Sequence, residues 1–330
     1  MYLGIDSIMV IMVKQKIAIT GAAGNLGNLL AYGLQKKDVE LNLLIHNKKI
    51  LNDLSSQQNV SIFKTDLADE GSLFDALKDV DTIVHFAGVL FKANPEKFLP
   101  ETNTRYFKNL LNVAVKQQVK KVILISFPHV EGETFPHKPA IGTLDGNPIS
   151  AHAQTRLEEE KLLFKYAEQY KFIPVSLRVG MVYGKDILMI DAAQWFARHY
   201  LLGVWKQPTY IHLISKDDFV NATIAAAIKP NIHGIYHIGD EGIQTLQQFL
   251  DDITTYKGNH KPWRMPLWMI MFAARSFELY SSLSGKVSPL TRDFIKIGRI
   301  SYYGDTERMR KELLPILKYK TYKEGITLFE

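Results

Sequence analysis

"KIAITGAAGNLGNLLAYGLQ", residues 16–35, decides the fold. A short run of β-rich apolar residues leads into Gly21, Gly24 and Gly27, and apolar residues at helical spacing follow. Glycine has no Cβ, so it permits the tight turn and lets backbone N–H groups come close to an anion. The helix behind the loop turns its positive end toward the same spot. Strand, glycine loop and helix in that order form a seat for a pyrophosphate.

The pattern repeats outward from this stretch. "LNLLIH" (41–46), "VSIFK" (60–64), "DTIVHFAG" (81–88), "KVILIS" (121–126) and "IPVSLRV" (173–179) are further apolar strand candidates. Helical periodicity lies between them, as in "RYFKNLLNVAVKQQVK" (105–120). Strands alternating with helices imply βαβ units, hence an α/β, doubly wound parallel Rossmann sheet buried on both faces. "DDFVNATIAAAIK" (217–229) and "GIYHIG" (234–239) read as one more helix and strand. The expected division is an N-terminal extension (1–13), a dinucleotide-binding domain (14–184 plus about 213–239), and a smaller, mostly helical C-terminal substrate lobe (about 185–212 and 240–330).

Composition narrows the function classes. The 330 residues carry a net charge of +6 with the basic residues scattered, so nucleic acid is not the expected partner. Cysteine is absent, which removes disulfides, thiolate metal sites and a cysteine nucleophile. "MYLGIDSIMVIMVK" has no leading basic region of the kind a signal peptide needs, and Met9 and Met12 are alternative starts. The chain reads as cytoplasmic, with no stretch long enough to span a bilayer.

The glycine spacing, Gly21-x-x-Gly24-x-x-Gly27, resembles the short-chain dehydrogenase/reductase superfamily. Further stretches are similar to its extended branch, the NAD-dependent epimerase/dehydratases: "TDLAD" with Asp66, "HFAG" (85–88), "NTRYFKNLLNVA" with Asn103, "LRVGMVYG" (177–184) and "SKDDFVNATIAAAI" (215–228). The resemblance implies NADP or NAD as cofactor. It implies contacts from Gly21, Gly24, Asn25, Leu26 and Gly27, from His46 and Lys48 after the second strand, and from Asp66 and Leu67. Ala87, Gly88, Asn103 and Arg156 complete the set. An acidic residue after the second strand would bind the ribose hydroxyl of NAD; His46, Asn47, Lys48 and Lys49 stand there instead, which favours NADP.

The family's chemistry, as the resemblance implies, rests on a Ser/Thr and a Tyr-x-x-x-Lys pair. In "SAHAQTRLEEEKLL" (150–163) that spacing falls on His152 and Arg156, and the Ser/Thr position falls on Phe127, which is not expected to be catalytic. Ser126, one residue earlier, points to the other side of an extended chain. Histidine exchanges protons near neutrality, and beside the fixed cation Arg156 it suits alcohol oxidation better than ketone reduction. Two classes stay open. One is an atypical oxidoreductase of epimerase/dehydratase type, acting on a nucleotide sugar or a hydrophobic alcohol or ketone. The other is a catalytically silent dinucleotide-binding sensor or partner protein.

Other residues have plainer expected roles. Tyr183 packs, and Asp217 and Asp218 cap a helix. His129 and His137, in a Pro/Gly-rich loop after a strand, are substrate-contact candidates without a carboxylate for a metal. "KPWRMPLWMIMFAARSFELYSSLSGKVSPLT" (261–291) resembles the hydroxysteroid-dehydrogenase and dihydroflavonol-reductase subgroups. It is read as packing within the lobe, an apolar substrate wall, or a peripheral membrane contact through 264–284. A homodimer through helices flanking the sheet is the family expectation.

Overall fold

The computed structural model describes residues 14–48, 50, 52–88, 94–284, 288 and 290–330. The expected extension 1–13 and Lys49 lie outside the described residues. Seven parallel strands form the central sheet: β1 (Gln15–Thr20), β2 (Val39–Ile45), β3 (Val60–Lys64), β4 (Thr82–His85), β5 (Lys121–Ser126), β6 (Ile173–Val179) and β7 (Gly234–Ile238). Their order is β7-β6-β5-β4-β1-β2-β3. The order reverses between β1 and β4, which opens a crevice at the carboxyl ends of the strands. Alternation along each strand builds two cores: Ile17, Ile19 and Ile123 join one, while Ala18, Val122 and Leu124 join the other.

The helices follow from local chemistry. Asn25–Leu34 packs against Lys216–Ile228 on one face, where Gly33 leaves room for Val220. Tyr106–Lys116 and Ala151–Tyr170 cover the other face. Ser150 caps the latter by accepting from the Ala153 N–H at 3.1 Å, so a helix does begin in the 150–163 stretch.

One capping expectation is corrected. Ser215, not Asp217 or Asp218, caps Lys216–Ile228, its Oγ accepting from the Asp218 N–H at 3.0 Å. The shorter hydroxyl side chain reaches that donor, which frees the Asp218 carboxylate to accept from the backbone N–H groups of Lys318 and Tyr319. Asp217 pairs with Lys318.

Beyond the sheet, strands Gly203–Trp205 and Trp263–Met265 pair in parallel beneath helices Leu267–Ser284 and Arg292–Gly298. Val204, Trp205, Ile270, Ala274 and Ile295 form this lobe's own core. Residues 301–330 return to the sheet edge, where Arg308 stacks on Tyr236 of β7 at 4.2 Å.

Candidate functional site

The glycine loop is set by close backbone approach. Gly21 has φ +69°, and a Cβ there would lie 3.0 Å from the Ala87 nitrogen; at Gly27 it would lie 2.5 Å from the Gly21 carbonyl oxygen. Gly24 stands at the N-cap of Asn25–Leu34 with no side chain capping the first turn. The leading amide donors are thereby left to a ligand. The Asn25 side chain is tied to the second lobe, donating to the Asp186 carbonyl at 2.5 Å and accepting from the Leu188 N–H at 3.2 Å. Leu26 packs on the main core, and Ala87 and Gly88 lie across the loop at the end of β4.

Around the rim, His46 and Lys48 stand exposed after β2. Asp66 is exposed after β3, where its Oδ1 accepts from the Ala68 N–H at 2.9 Å, and the Leu67 carbonyl accepts from Asn109.

At the centre, His152 and Arg156 lie one turn apart on Ala151–Tyr170, both buried. His152 Nδ1 donates to Asp293 Oδ2 at 2.5 Å, and the Ala151 N–H reaches Asp293 Oδ1 at 3.3 Å. Asp293 comes from Arg292–Gly298 of the second lobe, so that lobe orients the first turn of the site helix. Arg156 has its own counter-ion, with Nη1 2.8 Å from Glu159 Oε2 one turn on. The geometry is that of an ion contact; Nε and Nη1 of Arg156 and both Glu159 oxygens make no hydrogen bond among the described residues. Burial, with Glu160 adding and Arg156 opposing, pushes the Glu159 carboxyl up to about 7. The Arg156 guanidinium faces Gly88, where a Cβ would come within 3.2 Å of Nη2.

Arg156 also acts on His85. Burial, helped by that cation, holds the His85 imidazole down at about 3, so it is neutral and shares a 2.7 Å hydrogen bond with Thr20 Oγ1 across the β1–β4 register. Asn103, in a π turn before Tyr106–Lys116, donates to Thr155 at 3.4 Å and keeps its Oδ1 without a partner.

The end of β5 carries a second group of buried polar atoms. Ser126 Oγ is buried without a partner, and Phe127 is half-buried. His129 sits between the rings of Phe127 (5.6 Å) and Tyr302 (4.2 Å). Neither His129 nitrogen makes a full hydrogen bond, although the Ile297 carbonyl lies near enough to oppose burial in part; burial wins and holds the ring neutral, at about 3. His137 is exposed and stacks on Phe135 at 5.4 Å. Tyr183 is fully buried and stacked on Phe329 at 5.7 Å, which suits the packing role.

A buried charge cluster that sequence reasoning missed braces the site helix. Arg178 of β6 lies beside Ser126 in the β5–β6 register and is fully buried. It donates to both oxygens of Glu160, to Glu131 and to the Thr143 carbonyl, and Ser176 joins Glu160 at 2.8 Å. Burial opposes the charge on Glu131, but His237 and Arg178 beside it hold its carboxyl at about 2. The available signal was an arginine inside the apolar run "IPVSLRV": a charge in a buried strand requires counter-charges. Asp293 had no local signal, standing 141 residues from His152.

The unmatched atoms of Arg156, Asn103 and Ser126, together with the uncapped helix end, are donors and acceptors of the kind a dinucleotide satisfies with phosphate, ribose and amide groups. The residues fit such a cofactor. Among the described residues no cluster of side chains is arranged to hold a metal ion.

Fold and crevice together define a dinucleotide-binding α/β protein of the doubly wound class. The profile of the NAD dependent epimerase/dehydratase family matches residues 17–239, and the chain belongs to that family. It is similar to the mouse (Mus musculus) sterol-4-alpha-carboxylate 3-dehydrogenase, decarboxylating, at 23% identity over 84% of this chain and 77% of the relative. The L-arabinose 1-dehydrogenase (NAD(P)(+)) of Haloferax volcanii is 24% identical over 58% of this chain and 78% of its own. Among solved structures, a dTDP-glucose 4,6-dehydratase from Streptomyces venezuelae with NAD bound superposes with a TM-score of 0.74 at 18% identity, covering 95% of each chain. The UDP-glucose 4-epimerase of Thermotoga maritima gives 0.73 at 20%, covering 95% of this chain and 97% of its own. At these identities the structural likeness speaks for the fold.

Proposed function

We propose that this chain is an NAD(P)-dependent oxidoreductase in which His152, oriented by Asp293, handles the proton. The observation that carries the reading is the 2.5 Å bond between these two buried side chains, at the helix position where the family places its proton-transfer residue. When bound, the nicotinamide supplies hydride transfer at C4. In the oxidative direction His152 takes the proton from a substrate hydroxyl while the carbon bearing it gives up hydride; reduction reverses both. Asp293 fixes the imidazole's orientation and balances its charge when it holds the extra proton. Arg156, reaching the end of β4 beside Gly88 and Asn103, holds the cofactor's ribose or phosphate. Exposed His46 and Lys48 favour the 2′-phosphate of NADP.

The rings of Phe127, His129 and Tyr302 make an aromatic wall at the end of β5, which favours a hydrophobic alcohol or ketone over a nucleotide sugar. A second reading, a catalytically silent dinucleotide-binding protein, draws on Phe127, which brings no hydroxyl to the place where the family orients substrate. Fluorescence titration with NADPH and NADH, then turnover on alcohol, ketone and nucleotide-sugar panels, separates the two. The enzyme reading expects tighter NADPH binding and a loss of turnover of roughly 100-fold or more in Asp293→Asn with dinucleotide affinity unchanged. Binding without turnover on every panel supports the silent reading. Absence of binding into the millimolar range refutes both.

A further inference from the structure

We infer that the outer face of Leu267–Ser284, with the aromatic residues at its N-terminal end, docks on an anionic lipid surface. The helix buries Ile270, Ala274 and Glu278, four residues apart, against the lobe. Its opposite stripe, which a soluble monomer would make polar, is apolar: Trp268 (70% exposed), Phe272 (69%), Leu279 (63%) and Leu283 (81%), with Met269 and Tyr280 alongside. The patch continues past the helix start. Trp263 is exposed and donates its indole N–H to the Tyr200 carbonyl, and Tyr200, Leu201 and Trp195 are exposed beside it.

The charges around this face choose the occupant. Arg198, Lys257, Lys261 and Arg275 are exposed within 195–201 and 257–284. Of the nearby carboxylates, Glu278 is buried and paired with Arg292 and Asp251 is paired with Arg264, which leaves Asp191 as the exposed acid of Leu188–Arg198. Tryptophan and tyrosine keep a polar tip in the headgroup layer while their rings sit among acyl chains, and the basic rim meets anionic headgroups. No helix among the described residues is long and apolar enough to cross a membrane, so the contact is peripheral. The face borders the site, since Leu267–Ser284 packs on the helix that presents Asp293 to His152.

Flotation of the full-length protein tests this with vesicles of phosphatidylcholine alone and of phosphatidylcholine mixed with phosphatidylglycerol. The parent should float with the mixed vesicles and much less with the neutral ones, and high salt should weaken the association. A Trp268→Ser, Phe272→Ser, Leu283→Ser triple variant should lose roughly tenfold or more in vesicle affinity. Its thermal midpoint and dinucleotide affinity should be retained, because the three side chains point away from the core. Three results overturn the proposal: a parent that floats with neither vesicle, a correctly folded triple variant that floats as the parent does, or light scattering showing a dimeric parent and a monomeric variant. The last assigns the face to a second copy of the chain.

Discussion

Stability against unfolding should peak at about pH 6.5 and decline on both sides, because the interior holds titratable groups in their uncharged forms. Burial keeps His85 and His129 at about 3 and His212 at about 4. It raises Glu159 to about 7 and Asp240 to about 8, with Asp218, Glu241 and Glu324 adding to the shift at Asp240 against a Gly242 N–H. A histidine whose folded pKa lies below its ordinary value contributes fully above about pH 6.5 and loses that contribution as pH falls. An acid whose folded pKa is raised contributes fully below its ordinary value of about 4 and loses that contribution as pH rises toward 7 or 8. Each group is worth about 1.4 kcal/mol per pH unit inside its window. Between about pH 4.5 and 6.5 three histidines oppose two acids, so stability rises with pH by about 1.4 kcal/mol per unit. Above about 6.5 the two acids dominate, and by about pH 8 Asp240 alone removes about 2 kcal/mol, with Glu159 adding less than 1, while Lys121, lowered by burial to about 8, starts to oppose them only at the top of this range. Urea unfolding midpoints at about pH 5, 6.5 and 8 for the parent and for Asp240→Asn measure this directly. The variant should lose most of the alkaline decline. A parent midpoint that holds or rises toward pH 8, or an unchanged decline in Asp240→Asn, refutes the reasoning.

Three further outcomes follow from the site. Arg178→Met leaves Glu131 and Glu160 buried without their cation and should cost about 3–5 kcal/mol in urea unfolding, whereas losing less than about 1 would mean that water already reaches the cluster. His129→Leu removes two ring nitrogens without full hydrogen bonds, so it should stabilise the ligand-free protein by about 1–3 kcal/mol while impairing turnover of any substrate the panels reveal; a lower melting temperature would show those nitrogens to be satisfied. Gly27→Ala drives a methyl group into the Gly21 carbonyl and should weaken NADPH binding by roughly tenfold or more, read by fluorescence titration, with parental affinity as the contrary result.

The fold was readable because its signals are local. Val60–Lys64, Lys121–Ser126 and Ile173–Val179 occur as strands within the limits their apolar runs suggest. The helix carrying His152 begins in the 150–163 stretch, where Ser150 caps it. What escaped is the set of interactions made at long range. Asp293 meets His152 from a helix in the second lobe, and no periodicity or spacing connects the two. Glu159 and Glu160 in "LEEEKLL" are fully buried beside Arg156 and Arg178, and nothing in that charged run tells them from exposed acids. The helical cap after Ser215 was misjudged for a related reason: Asp218 looked like a local cap, while its carboxylate serves chain a hundred residues away.

Asp293 also makes the effect of one substitution depend on another. His152→Tyr on its own sets a phenol against a carboxylate that is 8% exposed and already committed to the first turn of the helix. The phenol's proton is then drawn into a bond with Asp293 and withheld from substrate. Adding Arg156→Lys without changing Glu159 ties the new ammonium to a glutamate in the same way. On the proposed reading of His152 and Arg156, installing a Tyr-x-x-x-Lys pair is therefore a matter of order as well as identity: Asp293 and Glu159 have to change before, or together with, the pair itself.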